Sequence, residues 1–267
     1  MIVIVFILVV LVGISLGLIG GGGSVLTVPI LVYFMGVNPL LATSYSLFIV
    51  GSTSMVGAVI NYRKGFVCLH TALLFGLASI TTVFLTRKIL LPAIPSVVFS
   101  SAQIQITKST ATMVLFALLM LVAALAMINK KKGLSDETTE KGSGIPKLLL
   151  YGILIGFTTG LLGVGGGFLL IPTLVFILKK TMKEAIGTSL LIIALNSLIG
   201  FTGDIGHFTM QWKFLILITA TAIAGIFVGG IIATKIDGHK LKNVFGWFIL
   251  IMGIYIFIKE LFFIPAV

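Results

Sequence analysis

Residues 17–32 read GLIGGGGSVLTVPILV, and residues 160–175 read GLLGVGGGFLLIPTLV. At a shift of 143 positions, Gly17, Leu18, Gly20, Gly22, Gly23, Leu26, Pro29, Leu31 and Val32 fall on Gly160, Leu161, Gly163, Gly165, Gly166, Leu169, Pro172, Leu174 and Val175. A second block follows at a shift of 145: Ala42-Thr43-Ser44 falls on Gly187-Thr188-Ser189, and Ser52 on Ser197. Two ordered blocks at nearly one spacing indicate a duplicated unit.

The solvent of that unit is lipid. Of the 267 residues, 58% are hydrophobic and 9% charged, and the mean hydropathy is +1.25. A soluble domain needs about a quarter of its residues charged. Ten apolar segments are separated by polar breaks, at roughly 2–19, 24–36, 40–60, 68–91, 108–128, 147–162, 167–178, 183–203, 212–234 and 240–263. Several approach the roughly 20 residues that a helix needs to cross a bilayer. Strands of a barrel would be about ten residues long and strictly alternating, so the expected fold is an all-α polytopic membrane protein. The stretch NKKKGLSDETTEKGSGIPK, residues 129–147, reads as a polar linker. It divides the chain into a first membrane repeat, 1–128, and a second, 148–267, of five segments each. The first run, MIVIVFILVVLVGISLGLIG, lacks a basic flank and a small-x-small cleavage pattern. It reads as a retained helix.

The formal charge of +11 fits topology rather than nucleic acid, because the basic residues sit between apolar runs. If each half crosses an odd number of times, thirteen of the eighteen Lys and Arg residues collect on one side. Arg87, Lys88, Lys108, Lys213 and Lys259 are left on the other. The positive-inside rule then places the linker in the cytoplasm, both termini outside, and the halves in inverted orientation. Cys68 stands alone, and His70, His207 and His239 are far apart. Neither disulfide nor metal spacing is present. Nucleotide-loop, zinc-protease and serine-hydrolase patterns are also missing. No cofactor and no enzymatic activity are expected.

The second segment of each half is short, and the one before it is interrupted by glycine. Such matched interruptions mark binding sites in secondary transporters. Gly20, Gly22, Gly23 and Ser24, with Gly163, Gly165, Gly166 and Gly167 opposite them, should break the helix and restart it near Ser24 and Phe168. Each restart offers free backbone N–H groups and a partial positive charge to an anion. Close helix packing explains the same glycines equally well. A second set lies on the third segments: Thr43, Ser44 and Ser52, then Thr188, Ser189, Asn196 and Ser197. Spacings of eight residues put Ser44 with Ser52, Ser189 with Ser197 and Thr188 with Asn196 on shared helix faces. Their hydroxyl and amide groups can donate to an oxyanion, or can bond back to their own helix. Asp204 and His207 suggest a proton-coupling pair, against which the plainer reading is an interfacial loop, TGDIGHF.

At GLIGGGGSVLTVPIL and ATS, with GLLGVGGGFLLIPTL and GTS in the second half, the chain resembles the sulfite exporter TauE/SafE family over essentially its whole length. The resemblance implies a transporter of the bacterial inner membrane for small sulfur-containing anions such as sulfite, sulfonates or sulfoacetate. The expected function is therefore a secondary permease whose partners are a small anion and membrane lipid, with self-association left open. A passive anion channel, a partner-delivery protein and an intramembrane enzyme for sulfur compounds are the alternatives. The stretch RKILLPAIPSVVFSSAQIQITK, residues 87–108, departs from the five-segment pattern and suggests an external hairpin.

Overall fold

The computed structural model describes residues 2–95, 97–101, 104–129, 145–163, 165–233 and 238–262. Ten helical segments are present among them. The first five are α1 (Ile2–Ile19), α2 (Ser24–Phe34), α3 (Pro39–Arg63), α4 (Leu69–Ala93) and α5 (Lys108–Asn129). The second five are α6 (Ile145–Leu162), α7 (Gly167–Pro172, continued by a wider turn through Thr173–Ile177), α8 (Met182–Asp204), α9 (Trp212–Ala233) and α10 (Gly238–Phe262). Four of these, α3, α4, α8 and α9, are long and apolar enough to cross a membrane. The chain is a multi-pass, all-α membrane protein. The middle of the expected linker, 130–144, lies outside the described residues. Helix α5 runs to its first residue, and α6 already begins at Ile145.

Residues 87–108 contribute one antiparallel hairpin, β1 (Val97–Ser101) with β2 (Ile104–Thr107), bulged between Val97 and Phe99. The stretch begins, however, inside α4. Arg87 lies in a π-helical turn, Thr86–Leu90, and the helix continues to Ala93.

The two central helices have firm starts. Pro39 opens α3 behind Asn38, whose side chain accepts the Leu40 N–H at 3.0 Å. Thr181 and Glu184 form a reciprocal capping box at α8, which satisfies two otherwise orphaned donors. These two helices are 67% buried over their apolar windows, against 39% for α4 and α9. Ser44 meets Asp204, Gly51 packs on Leu198 and Gly57 on Leu190. The register falls on one helix as it rises on the other, so α3 and α8 are antiparallel.

The flanking pairs run parallel. Gly13 lies against Ala222 and Gly17 against Ile226, joining α1 to α9. A methyl on Gly17 would stand 2.6 Å from the Ile226 carbonyl oxygen. Gly152 lies against Phe75, Gly156 against Ser79 and Gly160 against Thr86, joining α6 to α4. Small residues at these crossings let backbones touch, which replaces the hydrophobic drive that lipid cannot supply. Helices α5 and α10 form a third pair. Outside, Leu73, Leu77, Ile216, Phe227, Ile231 and Ile251 are each more than half exposed. Such a girdle suits acyl chains.

Candidate functional site

The glycine breaks are where the sequence places them. Helix α1 ends at Ile19, and Gly21–Gly23 form a single 3-10 turn before α2 starts at Ser24. In the second half α6 ends at Leu162 and α7 starts at Gly167, one residue before the expected Phe168. Each restarted helix is eleven residues long. Its sixth residue is proline, Pro29 or Pro172, and the coil widens to π geometry just after it. Proline has no N–H to give, so one rung of the helical ladder is missing there.

The breaks differ in backbone. Only Gly20 has a left-handed φ in the first, whereas Gly163, Gly165 and Gly166 all do in the second. Side chains rarely adopt that region, and glycine enters it freely.

Their contacts sort the glycines into three kinds. Gly23 and Gly166 face backward, each onto the helix that precedes it: Gly23 against Ser15 and Val12, Gly166 against Thr159 and Ile155. Those two serve packing. Gly21 and Gly167 touch each other, Cα to Cα, and bring the breaks of the two halves together. Gly20, Gly163 and Gly165 face the polar stripes. A methyl on Gly20 would lie 2.9 Å from Ser189 Oγ, and one on Gly165 would lie 2.9 Å from Ser197 Oγ. Gly163 abuts Thr43 and the Arg87 guanidinium. Gly20 and Gly163 thus each meet the stripe of the opposite half. Gly22 lies within the 3-10 turn.

The stripe is sealed, and part of it is unsatisfied. Thr43, Ser44, Ser46, Thr188, Ser189, Asn196 and Ser197 are all buried, while Ser52 is half-buried. Some hydroxyls do bond locally. Ser24 donates to the Gly21 carbonyl at 2.7 Å, Thr43 to the Leu40 carbonyl at 2.7 Å and Ser189 to the Ile186 carbonyl at 2.9 Å. Thr188 accepts the Cys68 N–H at 3.0 Å. Asn196 donates to Ser79 at 2.6 Å. Along α3 and α8, four buried polar side-chain atoms among the described residues have no hydrogen-bond partner: Ser46 Oγ, Ser54 Oγ, Ser197 Oγ and Asn196 Oδ1. A buried unsatisfied polar group costs about 1–3 kcal/mol, and such groups call for a reason.

Two residues lie deeper than sequence patterning implies. Arg87, which falls among the loop charges by its position after an apolar run, is 1% exposed, and Asp204 is 2% exposed. Arg87 Nη1 donates to Asp204 Oδ2 at 2.9 Å and to Thr43 Oγ1 at 3.1 Å. Ser44 donates to the same carboxylate oxygen. Asp204 therefore belongs to a buried ion pair and not to a plain interfacial loop. His207 is not its side-chain partner; it is exposed and gives only its backbone N–H to the Asp204 carbonyl, at 3.1 Å. The remaining donors of Arg87, Nε and Nη2, have no partner.

Comparison with known proteins bears on what this arrangement is for. The family model described as "Sulfite exporter TauE/SafE" matches residues 5–256. A "Probable membrane transporter protein" of Xylella fastidiosa is 29% identical over 253 residues, covering 92% of this chain and 91% of its own. The "Probable membrane transporter protein YunE" of Bacillus subtilis is 24% identical over 279 residues, covering 96% of this chain and 99% of its own. Another Bacillus subtilis protein, "Probable membrane transporter protein YdhB", is 24% identical over 233 residues, covering 87% and 91%. No solved structure matches.

Proposed function

From the premise that this chain belongs to the sulfite exporter TauE/SafE family and is a membrane transporter, we propose that it is a secondary carrier of small oxyanions, sulfite or organosulfonates foremost, in the cell inner membrane. One observation carries the reading. Two glycine breaks touch each other at Gly21 and Gly167, and the residues around them face a sealed polar stripe with unpartnered buried donors. Groups of that kind suit a ligand that arrives with its own acceptors and no counter-cation. Backbone breaks at membrane depth are tolerated where they line such a site.

The antiparallel run of α3 and α8 and the parallel flanking pairs support an inverted arrangement of the halves. Every pair is kept when the first five helices are exchanged for the second five: α1 with α9 becomes α6 with α4. The lysine-rich stretch from Lys130 to Lys147 then faces the cytoplasm and both termini face outward. Cysteine labelling at Ser135 in a Cys68→Ser background tests this, and labelling solely from the outer face would reverse it.

The function is tested by reconstitution into liposomes with a panel of sulfite, thiosulfate, methanesulfonate and chloride. Saturable flux of the sulfur oxyanions, driven by an ion gradient or by membrane potential, is the expected result. An outward-moving monoanion gains about 2.3 kcal/mol per 100 mV with the inside negative. Absence of flux for all four anions would reject the reading, and non-saturating flux of every anion would make the protein a channel.

A further inference from the structure

The Arg87 guanidinium is used on one side only. Its Nη1 group holds Asp204 and Thr43. Its Nε and Nη2 groups, whose N–H bonds lie side by side along one edge of the planar fork, hold nothing. That edge is the one that grips two oxygens of a carboxylate, sulfonate or phosphate at once. A half-satisfied arginine, 1% exposed, is costly to keep if its only task is to pair with Asp204. Replacing a buried ion pair by well-packed apolar side chains is often neutral or stabilising.

Its surroundings are built to give way. Gly163, in left-handed φ, stands against Nη2: a methyl there would come within 2.6 Å of that nitrogen. Gly203 stands against the other end of the side chain, with a methyl 3.1 Å from Arg87 Cβ. Neither carries side-chain atoms that must be swung aside. Arg87 itself sits in a π-helical turn, a local widening that recurs at functional sites. The hydroxyl of Thr43, which accepts from Nη1, and that of Ser44, which donates to Asp204, hold the pair in register with the stripe.

We propose that the free Nε–Nη2 edge of Arg87 seats the transported oxyanion, and that Asp204 is the carboxylate with which the anion competes for the guanidinium. The inference rests on the carrier reading above and assigns its specificity to one side chain. A planar or pyramidal oxyanion with two coplanar acceptors fills the edge; a spherical halide does not. Asp204 on Nη1 already neutralises the guanidinium charge and repels an anion on the free edge, so the two compete for that one charge. Weakening Asp204 strengthens the anion's hold.

The test uses purified full-length protein, with methanesulfonate, sulfite and chloride as probes and two readouts, anion-induced thermal stabilisation in detergent and liposome flux. Arg87→Lys keeps the charge and loses the fork. It should weaken methanesulfonate binding about tenfold or more and narrow the gap between oxyanion and chloride. Asp204→Asn should unfold more easily without anion, yet be stabilised by methanesulfonate more than the wild type is, at a several-fold lower half-saturating concentration. The paired variant Arg87→Met/Asp204→Leu, which buries no charge, should fold and show no oxyanion-induced shift. A normal shift in the paired variant, or an Asp204→Asn protein that is destabilised but responds to methanesulfonate like the wild type, makes the pair structural and overturns the inference. Wild-type protein that neither transports nor is stabilised by any probe would instead overturn the carrier reading on which it rests.

Discussion

The two ends of the central polar stripe carry the same sequence block and different chemistry. At one end Thr43 and Ser44 lie against Arg87 and Asp204, a buried ion pair. At the other, Thr188 accepts a backbone N–H from Cys68, and Ser189 bonds back to Ile186. The breaks that face these ends differ in the same direction. Gly163 sits against a guanidinium and Gly20 against a hydroxyl. A matched pattern of small residues therefore gives matched backbone without matched electrostatics. The buried ion pair lies at the start of α3, where α4 and α8 come to their ends, while at the other end the charges of Arg63, Lys183 and Glu184 are more exposed and Thr188 and Ser189 meet backbone groups.

The sharpest way to break this comparison is to strand one charge. Arg87→Ala or Asp204→Ala leaves an uncompensated buried ion and should cost about 3–5 kcal/mol, read as a fall in melting temperature in detergent. Thr188→Val, at the end without a buried ion pair, should cost about 1 kcal/mol. Equal losses at the two ends would erase the distinction.

Glycine geometry gives a smaller contrast. Gly166→Ala places a methyl onto Thr159 in a left-handed backbone, whereas Gly36, also at positive φ, has nothing within 4 Å. The first substitution should cost about 2–3 kcal/mol and the second about 1 kcal/mol, the backbone share alone. Thr159→Ala should recover part of the Gly166→Ala loss and do nothing for Gly36→Ala, as differential scanning of the double variants will show.

The stripe itself sharpens the comparison further. Ser197 Oγ has no partner, so Ser197→Ala should change unliganded stability by less than about 0.5 kcal/mol while weakening sulfonate-induced stabilisation. Ser44→Ala removes a donor from the Asp204 carboxylate and should cost about 1–3 kcal/mol before any ligand is added. The smallest effect belongs to His207. It is exposed and makes no side-chain bond to Asp204, so His207→Ala should leave the pH profile of flux unshifted.

Much of the architecture is legible in the chain because glycine and proline punctuate it. The runs around Gly20 to Ser24 and Gly163 to Gly167 announce a helix that stops and restarts, and Pro29 and Pro172 fix where the restarted helix loosens. Ser189 and Ser197, eight residues apart, are both buried, whereas of Ser44 and Ser52 at the same spacing the second is half-buried. What those patterns cannot convey is direction across the bundle. Gly23 and Gly166 look like Gly20 and Gly163 in sequence, yet they turn toward their own preceding helices. The ion pair was hidden for another reason. Arg87 follows an apolar run, which is also what a loop charge does, and its partner is 117 positions away. One local sign exists. Four apolar or proline residues, Ile89 to Pro92, follow Arg87 and Lys88, so the arginine falls inside the helical window rather than at its end.

The glycine seams between α1 and α9 and between α4 and α6 have a consequence for how such a protein is assembled. Each seam joins one helix from the first five to one from the second. The flat surfaces of Gly13 and Gly17 lie against Ala222, Gly225, Ile226 and Gly229 of α9, and those of Gly152, Gly156 and Gly160 lie on α4. Each five-helix set therefore leaves much of its helix-contact surface to be covered by the other. Both seams cross from one set to the other, so any opening of the molecule along the sequence midpoint would first have to unzip them.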